Sequence, residues 1–160
     1  MLIILDADET LVRAVEGIKL PNRLSEQELI PGVVERCAAL RRDGHRLAIA
    51  SNQAGGVLGY GALEDAVERI SWLARQVGAE HWLISTWHKR SRQQIRHDPE
   101  NGVSYSPFFR KPQPGMLMWL MLRLESPVTD TMFVGDSPED QAAAIGAGVR
   151  FEWAKDFFAS

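Results

Sequence analysis

The sequence has little cysteine, lacks a long apolar run and carries no excess of positive charge. Its one cysteine, Cys37, cannot form an internal disulfide, and structural zinc sites normally draw on several Cys or His residues. No apolar stretch approaches the roughly 20 residues of a membrane span. The N-terminus has no basic segment before its short apolar stretch, so it does not resemble a signal peptide. We therefore expect a soluble cytoplasmic protein.

Charge and length narrow the class further. Eighteen Lys and Arg residues against 21 Asp and Glu residues give a net charge of -3, so no overall positive field attracts nucleic acid or membrane. A local basic patch remains compatible with this balance. The 160 residues, 45% of them hydrophobic, match one ordinary globular domain, and we expect residues 1–160 to form it.

Strand and helix patterns alternate along the chain. Short apolar runs predict strands, and segments with helical spacing between them predict helices. The strands are expected at 1–5, 46–50, 81–86, 131–134 and 149–153, and the helices between Gly32 and Asp43 and at 62–77, 114–124 and 138–145. Such alternation indicates an α/β fold with a parallel sheet covered on both faces. The least regular stretch, 88–110, is expected to be a long loop.

Polar residues follow several predicted strands. They are Asp6 with Asp8, Ser51 with Asn52, and Asp136. Ligands of open parallel sheets bind beyond the carboxyl ends of the strands, so we expect these residues to meet at one edge.

The pair Asp6 and Asp8 suggests phosphate chemistry. A carboxylate at Asp6 can attack phosphorus and form an aspartyl-phosphate. Because a phosphate dianion repels this carboxylate, the site needs a hard cation, and Mg²⁺ with oxygen ligands from Asp6 and Asp136 suits it. Asp8 is placed to protonate the departing alcohol and later to activate water. An isolated Asp-x-Asp pair would more often simply begin a turn.

Other segments favour the catalytic interpretation. The Ser51 hydroxyl suits a phosphoryl oxygen, and we expect neighbouring Asn52 to help bind phosphate. Lys111 lies in Arg-Lys-Pro-Gln-Pro-Gly before a predicted helix, where a fixed ammonium would stabilise transferring phosphoryl charge, with Arg110 beside it. Asp136 and Asp140 share one face of a helix start, although acidic residues are also common there because of the helix dipole.

These four segments, in this order, resemble the haloacid dehalogenase-type (HAD) phosphatases. The resemblance implies a Rossmann-like three-layer α/β/α fold and magnesium as cofactor. It also implies that Asp6 is the nucleophile, Asp8 the acid/base, and Ser51 and Lys111 phosphoryl-binding groups. Asp6, Asp136 and the main-chain carbonyl of Asp8 would hold the metal. By the same resemblance, Thr10 would brace Asp8, Asp140 would support the site, and Thr10 and Arg110 are expected to help bind the substrate phosphate.

Two segments narrow the resemblance to one subgroup. Ser51-Asn52-Gln53 and the stretch from Arg110 to Met116 are similar to histidinol-phosphatase, heptose bisphosphate phosphatase and the 3'-phosphatase of polynucleotide kinase/phosphatase. The chain departs from that subgroup twice. Glu9 stands where the first motif usually has glycine, and residues 88–109 contain no cysteine for the zinc-bound loop that many of these enzymes carry.

The sequence is compatible with two classes of substrate, a small phosphorylated metabolite and a nucleic-acid 3'-phosphate. The segment between Asp6 and Ser51 is too short for a cap domain, so we expect a minimal cap and an open site. Lys89, Arg90, Arg92 and Arg96 follow Trp87 in a loop expected at the same edge, where they suit a nucleic-acid 3'-phosphate or a second phosphate group, or form an ordinary solvated loop. A small phosphorylated metabolite is the other class. A receiver-like or non-catalytic phosphate-binding signalling domain is an alternative function, against which Asp8 argues.

Overall fold

The computed structural model of the protein describes residues 1–91 and 93–159, which build a six-stranded parallel sheet and a separate antiparallel pair of strands. The strands are β1 (Leu2–Leu5), β2 (Val12–Ala14), β3 (Gln27–Leu29), β4 (Arg46–Asn52), β5 (His81–Ser85), β6 (Val103–Ser104), β7 (Thr131–Gly135) and β8 (Arg150–Trp153). The helices are α1 (Val33–Arg42), α2 (Leu63–Val77), α3 (Gly115–Arg123), α4 (Pro138–Ala147) and α5 (Ala154–Ala159). The parallel sheet has the order β6-β5-β4-β1-β7-β8.

The sheet is buried on both faces because its strands alternate two sets of apolar side chains. On β1, Ile3 and Leu5 belong to the core beneath α1, α2 and α5, whereas Leu2 and Ile4 belong to the core beneath α3 and α4. Both faces of a parallel strand that carries crossover helices must be apolar. The predicted three-layer α/β/α arrangement, with a parallel sheet covered by helices on both faces, is confirmed.

The predicted elements lie close to the observed ones, but the short strands β2, β3 and β6 and the short helix α5 were missed. β2 and β3 pair antiparallel between β1 and α1, in a stretch to which the sequence analysis assigned no strand or helix. The 88–110 stretch contains the edge strand β6, paired with β5, and turns of 3₁₀ helix at Pro99–Asn101 and Pro107–Phe109, so its description as one long loop is wrong. Strands of two or three residues are too short to produce a readable apolar alternation.

Cys37 is fully buried in α1, and burial raises the pKa of its thiol to about 11. It therefore packs as a small apolar side chain. Among the described residues, none of the helices is long and apolar enough to cross a bilayer.

Candidate active site

The polar residues that follow the strands do meet at one edge of the sheet. β1 lies between β4 and β7, with Leu5 in register with Ile49 and Val134. Asp6 is held at this edge by its main-chain N–H, which donates to the Val134 carbonyl at 2.9 Å. A shared cavity of about 290 Å³ has eleven lining residues: Asp6, Asp8, Glu9, Ser51, Asn52, Arg110, Lys111, Asp136, Ser137, Glu139 and Asp140.

Lys111 joins two acidic residues inside this cavity. Its Nζ lies 2.8 Å from Asp6 Oδ1 and 2.7 Å from Asp140 Oδ1, and it also donates to the Ala50 carbonyl at 3.0 Å. Lys111 is only 4% exposed. A buried ammonium with three acceptors is held rigidly, and it points at the carboxylate that ends β1.

The Asp140 carboxylate is held in place by hydrogen bonds from the start of its own helix, α4, as well as by Lys111. Its Oδ2 accepts from the main-chain N–H groups of Asp136 and Ser137, at 3.1 and 3.2 Å, and from the Ser137 hydroxyl at 3.0 Å. The carboxylate packs against Gly135, where an added Cβ would lie 2.5 Å from Asp140 Oδ2. Only glycine leaves room for this approach.

The site carries more negative than positive charge. Burial raises the pKa of the Asp6 carboxyl to about 8, with Lys111 opposing the rise and Asp140 adding to it. Burial likewise raises the pKa of Asp136, although a hydrogen bond with Asp6 lowers it. Burial alone would lower the pKa of Lys111, but Asp6 and Asp140 raise it above its ordinary value. Three carboxyl groups face one ammonium, an excess that a divalent cation would neutralise.

The donor set matches a hard cation. One carboxylate oxygen from each of Asp6, Asp136 and Asp140 lies within 4.8 Å of the others. Asp140 accepts from Lys111 on Oδ1 and from three donors of the helix start on Oδ2, whereas each Asp6 oxygen accepts from one donor, so Asp6 and Asp136 are the less occupied carboxylates. Two carboxylates plus substrate phosphate and water is a typical Mg²⁺ arrangement.

Thr10 contacts a different carboxylate from the one expected. Its hydroxyl is buried and donates to Asp6 Oδ2 at 3.2 Å, not to Asp8. The tight turn after Asp6 explains this, since the main-chain N–H groups of Thr10, Leu11 and Val12 all donate to the Ala7 carbonyl and bring the Thr10 side chain back over β1.

Asn52 lines the cavity and also contacts the lysine segment. Its amide bonds both ways with the main chain of Lys111, accepting from the N–H and donating to the carbonyl, each at 3.0 Å. These bonds tie the end of β4 to the Lys111 segment, and the expected part of Asn52 in binding phosphate stays a prediction. Ser51 is nearly fully buried and its Oγ accepts from Gln53 Nε2 at 2.9 Å, which leaves its own proton to donate.

Arg110 and the basic loop border the same cavity. The Arg110 guanidinium donates to the Trp87 carbonyl at 3.3 Å, and burial lowers its pKa, with Glu139 acting in the opposite direction. Lys89, Arg90 and Arg96 are exposed in the loop that Trp87 begins. Arg92, which the sequence grouped with them, lies outside the described residues.

One residue of the site escaped the sequence analysis. Arg69 on α2 is fully buried, and its Nη2 lies 2.5 Å from Asp8 Oδ1. An arginine in an amphipathic helix is normally expected on the solvent-exposed face, so the residue type offered no reason to place Arg69 in the site. The available signal was its spacing, because Arg69 lies three residues after Ala66 and four before Leu73, on the apolar stripe.

Comparison with known proteins places the chain among phosphatases. A family model described as polynucleotide kinase 3 phosphatase matches residues 1–159. The chain is 32% identical over 130 residues to a D-glycero-beta-D-manno-heptose-1,7-bisphosphate 7-phosphatase of Pseudomonas putida, covering 79% of this chain and 67% of that protein. It is 32% identical over 146 residues to the Pseudomonas aeruginosa protein of the same name, covering 89% and 74%.

Solved structures show the same fold. A D,D-heptose 1,7-bisphosphate phosphatase from B. bronchiseptica, complexed with magnesium and phosphate, superposes with a TM-score of 0.72 at 23% identity, covering 94% of this chain and 78% of that one. A HAD-superfamily hydrolase from Geobacter sulfurreducens gives a TM-score of 0.58 at 16% identity, covering 94% and 86%.

Proposed function

Because the chain belongs to the polynucleotide kinase 3 phosphatase family and is a HAD-type phosphatase, we propose that it hydrolyses phosphate monoesters with Mg²⁺ through an aspartyl-phosphate on Asp6. The observation that carries this proposal is the contact between Lys111 Nζ and Asp6 Oδ1 at the end of a central strand. A fixed ammonium beside the proposed nucleophile would stabilise the charge that develops on a transferring phosphoryl group.

In the first half-reaction, an Asp6 carboxylate oxygen attacks phosphorus while the bond from phosphorus to the ester oxygen breaks. Asp8 gives its proton to that leaving oxygen, so an alcohol departs and Asp6 carries the phosphoryl group. Lys111 and the Ser51 hydroxyl stabilise the charge on the phosphoryl oxygens. Bound Mg²⁺, held by Asp6, Asp136 and the Asp8 carbonyl, would neutralise the charge of phosphate and nucleophile.

In the second half-reaction, water attacks the phosphoryl group of Asp6. The Asp8 carboxylate now takes a proton from this water, the bond between phosphorus and the Asp6 oxygen breaks, and inorganic phosphate leaves. Asp6 is restored as a carboxylate. The same residue thus serves as acid and then as base, which requires Asp8 to return to one position in both halves.

For the substrate we favour a small phosphorylated metabolite, in particular a phosphorylated sugar. Two observations support this class: the curated relatives are named for a heptose bisphosphate, and the cavity of about 290 Å³ suits a phosphate with a small attached group. The membership in a phosphatase family weighs against a receiver-like signalling domain.

A nucleic-acid 3'-phosphate is the second candidate. A groove of about 470 Å³ beside Arg110 is lined by Trp87 and Phe108, and the exposed cations Lys89 and Arg90 follow Trp87. Aromatic faces beside cations bind single strands by stacking and by charge.

A substrate panel with Mg²⁺ tests these proposals. It contains an aryl phosphate, heptose 1,7-bisphosphate, other sugar phosphates, histidinol phosphate and a 3'-phosphorylated oligonucleotide. The favoured proposal expects the highest kcat/KM on a sugar phosphate and no release of phosphate by Asp6→Asn. A preference for the oligonucleotide would replace it with the second candidate, and Mg²⁺-independent turnover would contradict the metal assignment.

The basic loop has its own comparison. If nucleic acid is the substrate, the double variant Lys89→Glu/Arg90→Glu should lose activity on the oligonucleotide, more so at low salt, and keep its activity on the aryl phosphate. Arg42→Glu, an exposed change at the end of α1, is the matched control. Equal activity of both variants on the oligonucleotide would exclude a role for these cations.

A further inference from the structure

Arg69 is an unusual residue for the interior of this fold. It is fully buried on α2, and each of its three nitrogens donates a hydrogen bond. Nη2 donates to Asp8 Oδ1 at 2.5 Å, Nη1 to Gln53 Oε1 at 2.8 Å and Nε to Gln27 Oε1 at 2.8 Å. Well-packed apolar residues are often as stable as a buried ion pair, so packing alone does not call for a guanidinium here.

The bonds of Arg69 form a closed ring around Asp8. Gln53 Nε2 donates to Asp8 Oδ2 at 2.8 Å, while Gln53 Oε1 accepts from Arg69. The same Nε2 donates to Ser51 Oγ at 2.9 Å. Both Asp8 oxygens are therefore held, and the ring connects the carboxylate to the phosphoryl-binding end of β4. Gln27 anchors the guanidinium from β3, the edge of the antiparallel pair.

We propose that Arg69 is a positioning residue that holds Asp8 for proton transfer. This inference rests on the proposed function, in which Asp8 gives a proton to the leaving alcohol and later takes one from water. With Arg69 on Oδ1 and Gln53 on Oδ2, the Asp8 carboxyl group is fixed in one orientation for the transfer of its proton to the leaving oxygen. The planar fork also returns Asp8 to one orientation for the second half-reaction.

A purely structural role for Arg69 makes a different prediction. Loss of a structural contact would reduce activity equally on every substrate. Loss of the contact that positions Asp8 would slow the reaction only where the leaving oxygen must be protonated. An alkoxide is a poor leaving group and must be protonated, whereas 4-nitrophenolate is a stable anion that can depart without a proton. The ratio of the two activities therefore separates the two roles.

The experiment measures kcat/KM, which reports the steps up to departure of the alcohol, on an alkyl phosphate and on 4-nitrophenyl phosphate. We expect Arg69→Met to lower the alkyl value by about 100-fold and the nitrophenyl value by less than about tenfold, because general-acid help is commonly worth 10²-fold or more. Arg69→Lys keeps a charge without the fork and should lose about tenfold on the alkyl ester only.

Reference variants make the result decisive. Asp8→Asn should show the same selective loss, and adding Arg69→Met to Asp8→Asn should cost no further activity. Arg123→Met, which removes an exposed ion pair with Glu100, should leave both activities unchanged. Because Arg69→Met can fail to fold, melting curves accompany each variant, and Arg69→Lys then carries the comparison.

The outcomes distinguish two failures. Parallel losses on both substrates in the Arg69 variants, beside a selective loss in Asp8→Asn, would overturn the positioning role and leave the proposed function intact. A wild-type protein without Mg²⁺-dependent activity on either ester, or an Asp8→Asn variant without selective loss, would overturn the proposed function and the inference with it.

Discussion

The Nζ atom of Lys111 lies 2.8 Å from Oδ1 of Asp6, although 105 positions separate the two residues in the sequence. The contact is buried, and Asp140 completes it from a third segment at 2.7 Å. It depends on the parallel sheet, because the segments after β1, β6 and β7 must all reach the same edge.

Replacing Lys111 tests the energetic weight of this contact. Lys111→Met leaves two buried carboxyl groups without their ammonium, so we expect the free energy of unfolding at neutral pH to fall by about 3 kcal/mol. Chemical denaturation measures the change. Arg123→Met, whose ion pair with Glu100 is exposed, should change it by less than about 1 kcal/mol. Similar losses of unfolding free energy in both variants would mean that the buried ion pairs of Lys111 stabilise the fold no more than an exposed ion pair does.

The raised pKa of Asp6 predicts how stability depends on pH. The folded, metal-free protein keeps a proton on Asp6 up to a pKa of about 8, whereas the ordinary value is 3.8. Between these values the folded state binds more protons than the unfolded state, so this contribution to stability is lost as the pH rises through that window.

Magnesium should reverse that loss, because the cation takes the place of the proton. We expect Mg²⁺ to raise the melting temperature more at about pH 8.5 than at about pH 5. Asp6→Asn, which cannot titrate at this position, should show a smaller difference between the two pH values. A gain from Mg²⁺ that is the same at both would show that the cation binds away from Asp6.

Glu9 carries backbone strain at the mouth of the site. Its φ angle is 63°, in the left-handed region that favours glycine. We expect Glu9→Gly to raise the free energy of unfolding by about 0.5–1 kcal/mol, since the relief of strain exceeds the entropy that glycine loses. Glu9→Gln keeps the strained backbone and should leave stability unchanged. A glycine variant no more stable than the glutamine variant would contradict this reading.

The fold was predictable because most of its elements have strong local signals. The apolar runs of β1, β4 and β7 and the helical spacing of α2 gave the alternation, and the alternation implies a parallel sheet. The pair β2 and β3 was missed because strands of three residues show no readable apolar alternation. The contacts that hold them, such as the one between Arg13 and Glu28, join residues distant in sequence.

The convergence of residues in the cavity was predictable where a charged residue stands at a strand end or in a distinctive segment, as at Asp6, Lys111 and Asp136. It was not predictable where a side chain acts through tertiary contacts alone. The local sequence carries no signal for three of these contacts. They are the bonds of the Asn52 amide to the Lys111 main chain, of the Thr10 hydroxyl to Asp6 and of the Arg69 guanidinium to Asp8. Those contacts exist only once the sheet has formed.

The central claim is that Asp6 accepts the phosphoryl group, and trapping it is the most direct test. Asp8→Asn should slow hydrolysis of the intermediate, so brief reaction with 4-nitrophenyl phosphate and Mg²⁺, followed by acid quench and peptide mass spectrometry, should find a phosphoryl group on the peptide that contains Asp6. Asp6→Asn/Asp8→Asn should carry none. A wild-type protein that turns over while the Asp8→Asn variant carries no phosphoryl group, or carries it on another residue, would contradict the account.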